Sequence, residues 1–442
     1  MARPNITVVV DDQSFVVPFT ESGSLTRGGM ISHKGLIQAL GTTAENKTGV
    51  MSINSVNEWL GRLNSTETLA GFNGTTLPYS NDDQADSTRV SKITELPFWH
   101  DTGETGYSGG ILATAGNAFA GGTYGRWPLG PTGTWRHEWW SAHNYLQYGG
   151  VLIVGSTGSI EYTTISDSST PLHDKQIPLD LVFANTGDNV SFASNIASTR
   201  QDCIAIIPTT GAASVATAPT IADGYNADEF NVVVHGQKKH LDISRGIRED
   251  ALDDLITTSC VADVAGCFAR TDSVKDPWWS PAGFKRGQIL GVIRLTENPT
   301  DGQMDTMYDA KINPIVTFPG EGTVLFGDKT LAVNSSTLSR INVSRLFIFL
   351  KKTVGAAARD KLFELNDFET RLSFINSVTP LMQTIKSRRG IYDYRVICDE
   401  SNNTPNIIDS NQFVADIYVK PAKSINFIRI RFTNKNTSDD LE

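Results

Sequence analysis

Four stretches of the 442-residue chain bring catalytic residue types close together. Gly322–Gly327 followed by Lys329-Thr330 carries the glycines, cation and hydroxyl of a phosphate-cradling loop. Asp328, however, stands between Gly327 and Lys329 and would set a negative charge against the phosphate, so the segment reads as a β-turn. His137-Glu138 with His143 has zinc-ligand residue types, but the spacing does not stack both imidazoles on one helical face as H-E-x-x-H does. Gly155-Ser156-Thr157-Gly158 lacks the G-x-S-x-G order of a nucleophile elbow. Asp399-Glu400-Ser401-Asn402-Asn403 lacks the central glycine and distal glutamate of a calcium loop, which leaves side chains capping a tight turn. No carboxylate pair has an assignable partner. The chain is therefore expected to be no enzyme, with no catalytic, cofactor-binding or metal-ligating residues.

Cys203, Cys260, Cys267 and Cys398 form no CxxC pair and read as reduced, buried thiols. A net charge of −10 argues against a general nucleic-acid partner, although a local basic patch remains open. With 39% hydrophobic and 19% charged residues the composition is that of a globular protein. No apolar run approaches the ~20 residues of a membrane span, so no membrane partner is expected. The first residues, MARPNITVVVDDQ, lack a secretory pattern, which places synthesis and assembly in a cytoplasm.

The elements that must position these residues follow from periodicity. Residues 5–17 hold two short β runs around Asp11-Asp12-Gln13-Ser14, a hairpin or an extended arm. Residues 48–53 read as a strand. Ser55 and Glu58 make a capping box for a helix over 55–63. Residues 64–131 show no sustained period and read as a peripheral loop region. A helix is predicted over 133–150, with Trp139, Trp140, His143 and Leu146 on one broad face. Strands follow at 151–154, 179–182 and 204–207, with a helix at 190–199, a strand–helix–strand order that implies an α/β core. Residues 209–223 read as an Ala/Thr linker, and 231–234 pairs with 241–243 through a turn. A helix at 261–268 and another opening at 340–347 come next. Beyond 362, Leu372, Ile375, Val378, Met382 and Ile385 recur at helical spacing. Lys386, Arg388 and Arg389 close that helix where its dipole favours cations, with Gly390 as the C′ residue.

The stretch 392–432 organises the chain. Residues 392–398 form a β run, a turn-rich segment follows, and two further runs flank Lys420-Pro421. In the last, Ile428, Ile430 and Phe432 face one way and Arg429 and Arg431 the other, the alternation of a strand with one buried face. Such a strand pairs inside its own fold or completes a neighbour's sheet edge.

The segments GIYDYRVICD (390–399), NNTP (402–405), Ile408-Asp409 and Phe413…Lys420-Pro421-Ala422…Ile425 resemble the C-terminal signature of contractile tail sheath proteins, above all those of contractile-tailed phages. WSPAGFKRG (279–287), DAKINP (309–314), GTVLFGDKT (322–330) and RINVSRLF (340–347) extend the likeness, and NYLQYGG (144–150) adds to it. The resemblance is dense over 261–432, moderate over 133–207 and thin over 22–131.

It implies an α/β fold (an α+β mixed-sheet core) with an inserted β-rich or loop region and extended terminal β-strand arms. The expected division is an N-terminal arm (1–20), core (21–64), insertion (65–132), core (133–208), linker or insertion (209–260), C-terminal core (261–410) and a C-terminal strand arm with tail (411–442). It also implies a structural subunit of a virion tail, stacked as hexameric rings into a helical tube around a tail tube protein, with baseplate and tail terminator partners. Inter-subunit strands would use Ile6, Val8, Val10, Ile428, Ile430 and Phe432. Lys386, Arg388 and Arg389 are either a solvated helix end or the contact with the tube. A sheath of a phage-like injection machine and an unrecognised α/β enzyme are the alternatives.

Overall fold

The computed structural model describes residues 26–32, 50–56, 58, 134–156, 172, 177–185, 188–209, 214–241, 255–333 and 336–425. The strands expected to carry Ile6, Val8, Val10, Ile428, Ile430 and Phe432, and the expected 65–132 insertion, lie outside the described residues.

The main sheet has eight strands among the described residues, in the order β11-β10-β6-β5-β4-β1-β3-β2. They are β1 (Arg27–Ser32), β2 (Val50–Ile53), β3 (Val151–Ser156), β4 (Leu181–Phe183), β5 (Ile204–Pro208), β6 (Asn231–His235), β10 (Ile312–Phe318) and β11 (Gly322–Leu325). The strands from β3 through β1, β4, β5 and β6 to β10 run parallel, while β2 and β11 are antiparallel edges. Parallel strands covered on both faces need apolar side chains on both, and every residue of β4, β5 and β6 is buried. Helices α1 (Thr134–Leu146), α2 (Asp188–Arg200), α3 (Ala218–Ala222), α4 (Val261–Val274) and α5 (Asp301–Asp309) accompany this sheet. α1 presses Tyr145 against the strand ends: a Cβ on Gly28 would stand 2.6 Å from its ring and one on Gly150 2.3 Å from its hydroxyl.

The small sheet β8-β7-β9 comprises β7 (Gln237–Leu241), β8 (Leu255–Ser259) and β9 (Arg294–Leu295). The expected pairing of 231–234 with 241–243 does not form. Gly236 sits at φ 145°, a conformation that favours glycine, and a Cβ there would meet Ile315 at 2.8 Å. The chain therefore turns out of the main sheet, β6 pairs with β5 and β10, and β7 pairs with β8 and β9. Residues 231–235, expected as part of a linker, thus sit in the middle of the sheet, because NVVVH is apolar enough to be covered on both faces.

Helix α6 (Ile341–Arg359) straps the N-terminal ends of the parallel strands. Its Ser344 hydroxyl donates to Glu229 O before β6, Lys351 to Gln201 O before β5, and Lys352 to Asp180 before β4. Its outer side packs on α7 (Phe368–Ser387) and on a ribbon of β12 (Ile391–Ile397) and β13 (Asp416–Pro421). Together these bury a second core that includes Trp278, Phe347, Phe374, Met382 and Ile417. On α7 the buried stripe runs through Phe374, Val378, Leu381, Met382 and Ile385, and Leu372 is exposed. The predicted Val378, Met382 and Ile385 are buried and Ile375 packs partly against this core, but in the first turn Leu372 gives way to Arg371, buried with its guanidinium bonded to Asn366, and to Phe374.

At the early helix, Glu58 N donates to Ser55 Oγ as the capping box requires, but the Glu58 carboxylate accepts from Asn54 N. In α1, Trp140, His143 and Leu146 are buried as expected.

Candidate interaction surface

The surface around the end of α7 is set by how that helix stops. Gly390 N donates to Ile385 O (2.9 Å) and Arg389 N to Lys386 O (3.1 Å), the paired bonds of a Schellman motif. The left-handed position is Arg389 (φ 66°), not Gly390. Gly390 serves packing: a Cβ there would stand 2.6 Å from Ile385 Cγ2 and 3.0 Å from Trp278.

The three predicted contact cations come together here, each beside a group of its own chain. Lys386 Nζ lies 2.8 Å from Asp393 Oδ1 on β12, and this hydrogen bond holds the Asp393 carboxyl below its ordinary pKa. Arg388 lies 2.9 Å from Asp276, whose carboxyl burial pushes up while Arg388 pulls it down. Arg389 stands 5.5 Å from the centre of the Trp279 ring. Motif matching missed the rest of the cluster: Arg286 and Lys275 also stand 5.3 and 5.7 Å from that ring. The signal was present in WWSPAGFKRG, aromatics followed closely by cations.

The ribbon β12–β13 has two strands among the described residues. Two strands alone are marginal, and among the described residues neither outer edge has a strand partner. The turn between them is firmly tied. Asn403 Nδ2 donates to Val414 O (2.7 Å), Val414 N donates to Asn403 Oδ1 (2.8 Å), and Asn402 Nδ2 reaches Ile397 O (2.9 Å). Ser401 N donates to Asp399 Oδ1 (2.8 Å), so the DESNN segment is a side-chain-capped turn. Residues 402–411, where linkage of copies by strand exchange implies a flexible hinge, are thus braced at Asn402 and Asn403. Of the expected 411–442 arm, β13 belongs to the body, with Ile417 and Ala415 buried.

Past β13 the chain stays pinned. Ala422 N donates to Gly390 O (3.0 Å), Asn342 Nδ2 to Ala422 O (3.1 Å), and Ser424 Oγ to Asp328 Oδ2. Asp328, the residue that spoiled the phosphate-loop pattern, lies buried beside the start of α6, and burial raises its pKa. Lys329 Nζ donates to Tyr308 O (2.8 Å) and sits 3.4 Å above that ring, engaged within the fold. The four cysteines are free and buried. No group of three or more His, Cys, Asp or Glu side chains is placed to hold a metal among the described residues, and no described helix is long and apolar enough to cross a membrane.

The described residues form a mixed α/β body strapped to a helical layer, with a short ribbon at its surface and many polar residues engaged in bracing. The family model for the phage tail sheath protein central domain matches residues 188–331, and that for the phage tail sheath C-terminal domain matches 333–435. The chain belongs to the phage tail sheath protein family. It is 51% identical over 179 residues to the tail sheath protein of Vibrio phage KVP40, covering 40% of this chain and 27% of that one. It is 40% identical over 260 residues to the tail sheath protein of Enterobacteria phage T4, covering 56% of this chain and 39% of that one. The matched region thus spans well under half the length of these relatives. The fold is similar to that in the contracted PVC sheath complex of an extracellular contractile injection system, with a TM-score of 0.62, 15% identity and 98% of both chains covered. It is also similar to a chain of the contracted anti-feeding prophage baseplate, with a TM-score of 0.63, 13% identity and 98% and 99% covered.

Proposed function

We propose that this chain is the subunit of a contractile tail sheath, in which copies stack as hexameric rings around a tail tube and contract to drive the tube through the host envelope. Family membership across 188–435 is the observation that carries this reading. The extended lattice would be metastable, held by a kinetic barrier, and a baseplate signal would release it into a state with more buried contact. No nucleotide is needed, since the energy is laid down in assembly.

The ribbon supplies the linkage. Strands carrying Ile6, Val8 and Val10, or Ile428, Ile430 and Phe432, would add to its open edges from neighbouring copies. Main-chain ladders of this kind hold under tension while the bodies turn. Lys386, Arg388 and Arg389, with Arg286 and Lys275, would face an acidic surface of the tube. Exposed ion pairs are individually weak, about 0–1 kcal/mol, which suits a contact that must release during contraction. A tail terminator and a baseplate would bound the tube, and assembly would occur in the host cytoplasm. Identities of 40–51% to phage sheaths, against 13–15% for the injection-system structures, favour the phage reading.

Negative-stain electron microscopy of the full chain, beside a chain truncated after Ile425, tests this. Rings or tubes from the full chain, lost on truncation with the body still folded, are expected. Equal assembly by both chains would remove the C-terminal linkage, and a monomer under all conditions, with tube protein present, would remove the sheath reading.

A further inference from the structure

The loop between α6 and α7 carries an apolar knuckle. Phe363 is 86% exposed, Leu365 77% and Phe368 66%. Phe363 also holds a left-handed backbone (φ 72°). A bulky side chain in that conformation, projected into solvent, combines local strain with an unfavourable exposed surface. Acidic residues outnumber cations around the knuckle: Asp360, Glu364, Asp367 and Glu369 are exposed, against Arg359 and Lys361, whose Nζ donates to Ser373 Oγ (2.9 Å).

A second apolar feature lies at the other end of α6. Phe284, Phe318 and Phe326 pack with ring centres 5.1–6.3 Å apart. Phe284 and Phe326 are 41% and 42% exposed, so the trio is a platform with an open face. Its charged neighbours in sequence are Lys285 and Arg286, with Glu321 on the adjoining turn. This platform adjoins the start of α6, where Ile341 N donates to Asp328 O. Helix α6, 19 residues and thus about 28 Å long at 1.5 Å per residue, runs from the Asp328 side to the knuckle loop.

We propose that the acid-rimmed knuckle of one copy of this chain docks on the base-rimmed phenylalanine platform of a second copy. Within one chain the rigid helix keeps the two apart. Between copies the pairing is heterologous, because each copy offers one knuckle and one platform, and such contacts propagate into rings or helices. The charge signs of the two rims are complementary, which sets orientation and rejects knuckle-to-knuckle pairing. This rests on the sheath reading for its setting, but it names a body-to-body contact independent of the strand arms.

Cysteine pairing between two full-length chains tests it. One chain carries Phe363→Cys and the other Phe284→Cys, so a disulfide joining the two is intermolecular by construction. The four native cysteines are buried and leave the background low. The mixed assembly is expected to give this heterodimer well above a control in which the second chain carries Thr306→Cys on exposed α5. Glu364→Lys and Lys285→Glu alone should each weaken self-association at least tenfold by sedimentation, and together should restore most of it. Rings or tubes without the heterodimer, or a double variant no better than the singles, would overturn the contact and leave the sheath reading standing. Cross-linking of position 363 to added tube protein in place of a second copy would also overturn it. A chain that never self-associates would overturn both.

Discussion

Arg389 holds a left-handed conformation that costs a residue with a Cβ roughly 1–2 kcal/mol. The chain nonetheless places a cation there, over Trp279, and puts the glycine one position later, where Ile385 and then Trp278 crowd any side chain. Arg389→Gly is expected to raise stability by about 0.5–1 kcal/mol in urea denaturation, after the larger unfolded-state entropy of glycine is subtracted. It should weaken binding to tube protein at the same time. A destabilised variant would mean that the cation–ring contact outweighs the backbone strain. His143 supplies the pH dependence at this scale. Burial lowers its pKa from 6.5 to about 4, with Lys238 adding to the effect and a hydrogen bond with Asn144 opposing it. The neutral ring is the form the fold favours, so its stability contribution is full above pH 6.5 and is lost as pH falls toward 4, up to about 3 kcal/mol. His143→Gln should flatten that acid limb in denaturation midpoints measured from pH 7 to 4; an unchanged limb would contradict it. Buried Asp263 and Asp328 have raised pKa values and act with the opposite sign, losing stability as pH rises.

Elements are joined here by buried charges. Lys238 on β7 lies 2.8 Å from Asp263 on α4, both almost wholly buried, and Lys238 Nζ also donates to Leu290 O. The Tyr148 hydroxyl donates to Asp263 and accepts from Leu290 N, closing the network between α1, α4 and the small sheet. Lys238→Met would leave the carboxylate without its cation and is expected to cost about 3–5 kcal/mol. Lys238→Met with Asp263→Leu should recover most of the loss, read from denaturation midpoints; equal loss in both would show that packing, not charge, dominates. None of this was legible in QKKHL, where alternation of burial falls on Lys238 and His240. By contrast the strands at 151–156, 204–208 and 391–397 and helix α4 were legible, because β-branched runs and apolar helical spacing are local signals. The cationic end of α7 was legible too. Its partners Asp276, Trp279 and Asp393 were not, since nothing local brings residues 276 and 388 together.

At the scale of the whole molecule the two cores meet along α6, which touches strand ends on one side and α7 with the ribbon on the other. This decides what each truncation does. Stopping after Ile425 leaves β13 and its anchors at Ala422 and Ser424 in place, so the body is expected to keep its melting temperature within a few degrees. Stopping after Asn411 removes Ile417 and Ala415 from the second core and leaves β12 without a partner. That chain should lose several kcal/mol and become sensitive to protease around α7, by the usual cost of ~2–5 kcal/mol for emptying a large buried apolar site. A fully stable chain ending at 411 would contradict the placement of β13 in the body.

The sequence by itself determined the family signature, the α/β class and most element positions, for these rest on residue types a few positions apart. Tertiary structure alone decided that β6 enters the main sheet and β7 does not, because the turn at Gly236 depends on Ile315 far along the chain. It also decided which charges are already paired and which apolar side chains remain exposed. Leu372 and Phe374 differ little as residues, yet one faces water and the other the second core, since burial is a property of what packs against a helix and not of the helix's own spacing.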